Sequence, residues 1–176
     1  MSDGAPGRVA IPPGIAACLA RATGYVGRYR LREPTLGPQP HLPIVVITCM
    51  DARIVPGNML GTDEGGIHVL RNAGGVVTDD VIRSLIVSQR KLGTSEVLVM
   101  QHTGCGMSTF DDEDFLDELE ADSGVRPAWS PAAFRDTEAS VRQGVARLRA
   151  CPWLPHTDGV VGAVFDVRGG EIRVVA

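Results

Sequence analysis

Residues 78–101 read TDDVIRSLIVSQRKLGTSEVLVMQ, and inside this stretch the spacing of apolar side chains changes from helical to extended. Thr78 suits an N-cap, and Asp79 and Asp80 fall in the first turn, where the helix dipole favours negative charge. Val81, Ile82, Leu85, Ile86 and Leu92 recur at helical spacing, and Gly93 is a natural stop. Val97-Leu98-Val99-Met100 then forms a short apolar run, which predicts a buried strand over Glu96 to Gln101. Upstream, Ile44-Val45-Val46-Ile47 within His41 to Thr48 is a β-branched run suited to a strand covered on both faces. Ile67 to Leu70 predicts another strand, followed by the turn-prone Asn72-Ala73-Gly74-Gly75. Strand, helix, strand over this length is a right-handed βαβ unit, so Thr48 and Gln101 stand at the carboxyl ends of parallel strands in one sheet.

Outward from that unit the chain is read more simply. Residues Met1 to Pro13, rich in Gly and Pro, predict a loose arm, and Ile15 to Tyr29 a helix with Arg21, Arg28 and Arg30 toward water. Pro34, Pro38 and Pro40 make Arg32 to His41 an extended connection. Asp111 to Asp122 is strongly acidic, with Phe115, Leu116 and Leu119 as a narrow apolar stripe, and predicts a surface helix. Ser130-Pro131 reads as the N-cap and first position of a further helix that turns Val141, Val145 and Leu148 inward. Val160 to Val167 and Glu171 to Val175 read as strands joined at Gly169-Gly170. The expected fold is α/β: one domain over 1–176, with an arm and helix over 1–40 and an α/β core over 41–176. Its mainly parallel sheet of about four strands is flanked by helices on both faces.

The 176 residues, 44% of them hydrophobic, suit one globular core. A formal charge of −4 and a pI near 5.5 supply no basic field for a phosphate backbone, which argues against nucleic acid. No run approaches the roughly 20 apolar residues that cross a bilayer, and no charged segment followed by a long apolar run opens the chain. No membrane partner and a cytoplasmic location are the expectation. The four cysteines do not read as a disulfide framework. Cys18 and Cys151 are expected to be reduced, packed and inert.

Two short patterns remain: Cys49-Met50-Asp51-Ala52-Arg53 after the first strand and His102-Thr103-Gly104-Cys105 after the third. Alone, each is weak; a Cys near Asp and Arg can be a buried thiol beside a surface ion pair worth under about 1 kcal/mol. Their placement at neighbouring strand ends, inferred independently from periodicity, raises their weight. Thiolate sulfur and imidazole nitrogen are ligands zinc prefers, and two Cys with one His leave one corner of a tetrahedron open. Gly106-Met107 at an expected helix start would lower the Cys105 thiol pKa. Gly104 and Gly106 do not make a dinucleotide loop, because Thr109 stands where the third glycine belongs. His41, His68 and His156 read as surface or structural groups.

Taken together, Cys49-x-Asp51-x-Arg53, His102-x-x-Cys105, Arg71-Asn72-Ala73-Gly74 and Asp79-Asp80-Val81-Ile82-Arg83-Ser84 resemble the β-class carbonic anhydrases, from about Val45 to Met107. Ile47-Thr48-Cys49-Met50-Asp51 and His102-Thr103-Gly104-Cys105-Gly106-Met107 look most like the short prokaryotic branch, and Pro40 stands where the plant-like branch carries glutamine. The resemblance implies one Zn2+ per chain on Cys49, His102 and Cys105, an Asp51–Arg53 pair beside it, and Gly74 and Gly75 offering backbone amides to substrate. It implies reversible hydration of CO2 to bicarbonate by a zinc-bound hydroxide. Relatives with the same ligands act on carbonyl sulfide or carbon disulfide. It further implies a homodimer or higher homo-oligomer, with Leu19, Tyr25 and Tyr29 of the N-terminal helix touching the neighbour. A reading of another class is a non-catalytic zinc-stabilised binding module in which Asp51 is a permanent fourth ligand.

Overall fold

The computed structural model describes residues 11–32 and 36–176, without the side chains at 23, 27, 28 and 30–32. The expected loose arm therefore falls mostly outside the described residues, as do the Arg28 and Arg30 side chains and part of the extended connection. The chain divides into two compact units, Met1–Gly37 and Pro38–Ala176. The first holds helix α1 (Pro13–Arg32), three residues longer at its end than the periodicity predicts. On it Leu19, Tyr25 and Tyr29 are exposed, and the two tyrosine rings pack 5.7 Å apart. Cys18 is exposed here, not packed, and accepts a hydrogen bond from Arg21 at 3.2 Å. Of the two cysteines expected to be buried and inert, only Cys151 is buried.

The second unit is a five-stranded sheet of order β2-β1-β3-β4-β5, from strands β1 (Ile44–Cys49), β2 (His68–Asn72), β3 (Glu96–His102), β4 (Val160–Phe165) and β5 (Ile172–Val174). All neighbours pair in parallel except β4 with β5, which returns antiparallel across the Gly169-Gly170 turn and makes one strand more than about four. Helix α2 (Pro56–Leu60) lies between β1 and β2. Helix α3 (Asp79–Leu92) starts and stops where the sequence places it. The Thr78 hydroxyl accepts from the Val81 amide at 3.4 Å, and Gly93 closes the helix with φ 75°. The acidic stretch forms α4 (Asp112–Ser123), capped by Asp111 and burying Leu116.

Helix α5 (Thr137–Arg149) corrects one expectation. Its N-cap is Asp136, which accepts from the Ala139 amide at 3.0 Å, and not Ser130. The reason is Asp112. Its carboxylate gathers the Ser130 hydroxyl at 2.6 Å and the Ala132 and Ala133 amides at 3.2 and 2.6 Å. Ala132 takes φ 60°, so the amides that would open a helix point instead at a residue eighteen or more positions away.

The core lies between one face of the sheet and helices α3 and α5. Val45, Ile47, Val97 and Val99 from the sheet meet Val81 and Leu85 of α3 and Val141, Val145 and Leu148 of α5. Leu85 and Leu148 are fully buried, and each such side chain contributes about 1.5–3 kcal/mol. Gly162 of β4 allows α5 its close approach, because a Cβ there would stand 2.5 Å from Val141 Cγ1 and 2.9 Å from Val145 Cγ2. Gly162→Ala is expected to destabilise the protein by about 1–3 kcal/mol through overpacking. Adding Val141→Ala should recover part of that loss; denaturant midpoints that show no recovery would assign the cost to the strand backbone instead.

Candidate metal centre

Cys49 is the last residue of β1 and His102 the last of β3, and β1 and β3 pair in parallel with Thr48 opposite Met100. Both strands therefore release the chain at one edge of the sheet. Two residues into the loop after β3, Gly104 takes φ 60° and turns Cys105 back toward Cys49. The ligand atoms of Cys49, His102 and Cys105 all lie within 4.8 Å of one another, the two sulfurs being 3.9 Å apart. All three residues are buried, His102 completely. The set predicted from sequence is thus brought together.

The donor chemistry fits a metal ion. His102 Nδ1 lies 2.9 Å from the Thr103 carbonyl, which can only accept, so Nδ1 carries the proton and Nε2 keeps its lone pair. That Nε2 is buried and has no hydrogen-bond partner. An orphaned imidazole nitrogen facing two thiols is costly without a cation, and this donor set suits a borderline-soft dication. The thiol expectation needs correction. The residues after Cys105 form only a 3-10 turn (Gly106–Ser108), and burial pushes the Cys105 thiol up to about 11. The Met107 amide pulls it down and neighbouring Cys49 pushes it up, so burial outweighs the single turn of backbone.

Asp51 and Arg53 stand at the rim of this group. Arg53 grips the carboxylate at both oxygens, Nε to Oδ1 at 2.9 Å and a terminal nitrogen to Oδ2 at 2.7 Å, and its amide adds a third bond at 2.9 Å. These bonds, the side-chain one foremost, hold the Asp51 carboxyl well below the usual carboxylate range against the opposing effect of desolvation. Asp51 Oδ2 remains 3.8 Å from His102 Nε2. The same Arg53 nitrogen also donates to the Gly104 carbonyl at 3.0 Å, tying the two motifs to each other.

A cavity of about 350 Å3 opens over the cysteines and is walled by Met50, Asp51, Gly74, Met107 and Phe110. Gly74, with φ 80°, lines it, while Phe134 and Met107 pack so closely behind that a Cβ would sit 3.0 and 3.1 Å from them. Gly75 lies behind, against β1, where a Cβ would be 2.7 Å from the Thr48 carbonyl carbon and 2.8 Å from the Cys49 amide nitrogen. His68 is structural as expected, its ring nitrogens bonded to Ser88 Oγ at 2.7 Å and the Pro38 carbonyl at 3.0 Å.

The roles of four residues at the site, Arg71, Asn72, Met107 and Phe110, escaped the sequence reading. The Arg71 guanidinium donates to the carbonyls of Cys49 at 3.0 Å and Asp51 at 2.8 Å, clipping the turn that carries the first motif. Asn72 closes the following turn on Val76 in both directions, at 2.8 and 3.0 Å. Met107 and Phe110 supply the apolar wall. Arg71 had a readable signal, since it lies opposite Thr48 in the β1–β2 register. Met107, Phe110 and Phe134 had none, because the loops that carry them follow no periodicity.

A carbonic anhydrase family model matches residues 44–133. The chain is 47% identical over 142 residues to β-carbonic anhydrase 1 of Mycobacterium tuberculosis, covering 79% of this chain and 87% of that one. It is 43% identical over 152 residues to a carbon disulfide hydrolase of Saccharolobus solfataricus, covering 73% and 74%. Among solved structures, carbonic anhydrase from Streptococcus mutans superposes with a TM-score of 0.84 at 36% identity, over 95% of this chain and all of that one.

The Gly75 contact yields a test of how tightly the centre is built. Gly75→Ala places a Cβ against backbone that cannot yield and forces a side chain into φ 63°. It is expected to lower stability by at least about 2 kcal/mol and to reduce bound metal together with it, whereas Gly104→Ala, which meets no atom within 4 Å, should cost less. Paired denaturation curves and elemental analysis compare the two.

Proposed function

The chain belongs to the β-class carbonic anhydrase family, and from that premise we propose that it catalyses the reversible hydration of CO2 to bicarbonate and a proton, with one zinc ion per chain on Cys49, His102 and Cys105. The observation that carries this reading is the donor group of two thiols and one bare imidazole nitrogen, beside a carboxylate that Arg53 holds at both oxygens. Zinc bound there supplies Lewis acidity, which brings the pKa of a bound water from about 15.7 toward neutrality.

The chain's own residues then have separable tasks. Asp51 is ionised throughout the working range because its pKa is depressed, so it accepts a hydrogen bond from the nucleophilic oxygen and aims a lone pair at the substrate carbon. Arg53 keeps both carboxylate oxygens engaged, so Asp51 would not be free to serve as a fourth ligand. Gly74, Met107 and Phe110 offer an apolar pocket to an uncharged linear molecule. The same pairing argues against the binding-module reading, in which Asp51 would have to leave Arg53 for the metal.

A second reading is hydrolysis of carbonyl sulfide or carbon disulfide at the same centre, favoured by the similarity to a carbon disulfide hydrolase. The greater identity to a β-carbonic anhydrase, over more of that protein's length, places CO2 first. We further propose that the chain works in the cytoplasm as a homodimer or higher homo-oligomer. Among the described residues no helix is long and apolar enough to cross a membrane. The exposed Leu19, Tyr25 and Tyr29 of α1 supply apolar surface for a second copy.

The zinc-loaded protein, offered CO2 and then carbonyl sulfide in stopped flow, is expected to turn over CO2 faster; a larger kcat/KM for carbonyl sulfide reverses the assignment. Arg53→Ala should keep its zinc by elemental analysis yet lose about a hundredfold or more in kcat, the scale of losing a positioned proton acceptor. Wild-type turnover in that variant eliminates the pair's role. Because the thiolates of Cys49 and Cys105 would offset a dication's charge and weaken its acidifying effect, kcat should rise toward alkaline pH. Asp51 cannot produce that rise, its pKa being shifted down, so a flat profile between about pH 6 and 9 removes the metal-bound nucleophile.

A further inference from the structure

We propose that Asp166 is a positioning residue of the metal centre, acting through Thr103 to fix the orientation and tautomer of His102; this rests on reading Cys49, His102 and Cys105 as metal ligands. His102 ends β3, and its Nδ1 donates to the carbonyl of the very next residue at 2.9 Å. The direction of Nε2 therefore follows the plane of the Thr103 peptide. Thr103 has already left the strand, so the residue that carries this carbonyl needs an anchor of its own.

The anchor is the turn between β4 and β5. Thr103 donates its amide to the Phe165 carbonyl at 2.9 Å and its hydroxyl to Asp166 Oδ1 at 2.9 Å, and the hydroxyl oxygen accepts from the Val167 amide at 3.1 Å. Asp166 is itself immobilised. Its carboxylate accepts the amides of Arg168 and Gly169 at 3.1 and 3.2 Å, and its own amide and carbonyl pair with Glu171 and Gly170, each at 2.8 Å. One hydroxyl thus transmits the rigidity of a closed turn to the loop that carries two metal ligands.

The next peptide is held from the other side, where Arg53 takes the Gly104 carbonyl at 3.0 Å. Of the three peptides from His102 to Cys105, the first is thus held by the β4–β5 side through the Thr103 amide and the last by Arg53, and the middle one, which carries the Thr103 carbonyl, lies between them. Without the Thr103 clip the Thr103 carbonyl can rotate off Nδ1. The imidazole then loses the acceptor that selects its tautomer, and the Nε2 lone pair is no longer held toward the two sulfurs. If the bond only closed the β4–β5 turn, its loss would lower the melting temperature and leave the ring untouched.

The test compares Thr103→Val, which keeps the shape and removes the hydroxyl, with Thr103→Ser, which keeps the hydroxyl. In the metal-free proteins, long-range 1H–15N NMR of the imidazole is expected to show His102 as one Nδ1-protonated tautomer in wild type and in Thr103→Ser, and as a mixture in Thr103→Val. In the cobalt(II) proteins, release to a chelator should be about tenfold or more faster for Thr103→Val and within about twofold of wild type for Thr103→Ser. A wild-type tautomer and release rate in Thr103→Val, or a Thr103→Ser protein that behaves like it, overturns the proposal. Should Thr103→Val not fold, Asp166→Asn replaces it, and unchanged cobalt release there overturns the proposal equally. Failure of wild type to bind cobalt would refute the ligand set instead, while the metal-free spectra of Thr103→Val and of Asp166→Asn still decide the roles of the hydroxyl and of Asp166, a wild-type tautomer in either overturning the proposal.

Discussion

The centre depends on the parallel pairing of β1 with β3. Parallel neighbours end at the same edge of a sheet, so Cys49 and His102, each the last residue of its strand, emerge side by side without any contact between their motifs being needed. What fixes the register is the core. Val45, Ile47, Val97 and Val99 are all but fully buried under α3 and α5, and sliding either strand by one residue would turn its buried set to the opposite face. The geometry around the metal site is thus set by apolar packing more than 50 residues apart in sequence, and the polar residues refine it.

That refinement is needed because the ladder stops where the ligands begin. Beyond β1 the chain must turn at once, and Arg71 on the neighbouring β2 captures the carbonyls of Cys49 and Asp51 while Gly75 lets the next loop lie directly on the Thr48–Cys49 peptide. Beyond β3 the amide and hydroxyl of Thr103 are taken up by the β4–β5 turn and the Gly104 carbonyl by Arg53. Each of these bonds is ordinary, contributing about 0.5–3 kcal/mol, but together they leave few soft dihedrals between one ligand and the next. Arg53 serves both sides, since one nitrogen bridges the Asp51 carboxylate and the Gly104 carbonyl.

How much of this was legible follows from how local each signal is. The βαβ unit could be read because Thr78, Gly93 and the apolar period between them agree on one helix, and the tertiary structure overrules none of it. The convergence of Cys49, His102 and Cys105 could be read because two strand ends and two motifs coincide. Ser130 misled, since a Ser-Pro pair is a helix start only if its amides are free to begin one, and Asp112 had already recruited them. The Cys105 thiol misled in the same way: a helix dipole was inferred from following residues that form only a single 3-10 turn, while its burial depends on residues far away. Gly162 and Phe134 matter through what lies across from them, which no one-dimensional pattern carries.

The electrostatics of the site explain why such a buried group can be tolerated. A Cys105 thiol disfavoured as an anion by burial, the buried Cys49 sulfur beside it and an imidazole nitrogen with no partner form an unsatisfied set, and the ionised Asp51 adds negative charge. A dication answers all of these at once. Cys49, His102 and Cys105 would offer it a nitrogen lone pair and two sulfurs whose thiolate charge would balance it, while Arg53 balances Asp51. With neutral water as its fourth partner such a centre would carry no net charge, and a group without net charge can sit beneath apolar Met107 and Phe110 with far less desolvation cost than an isolated ion. An apolar pocket over a neutral centre favours uncharged linear substrates for the same reason, so the choice among them falls to the width of the walls and not to their charge.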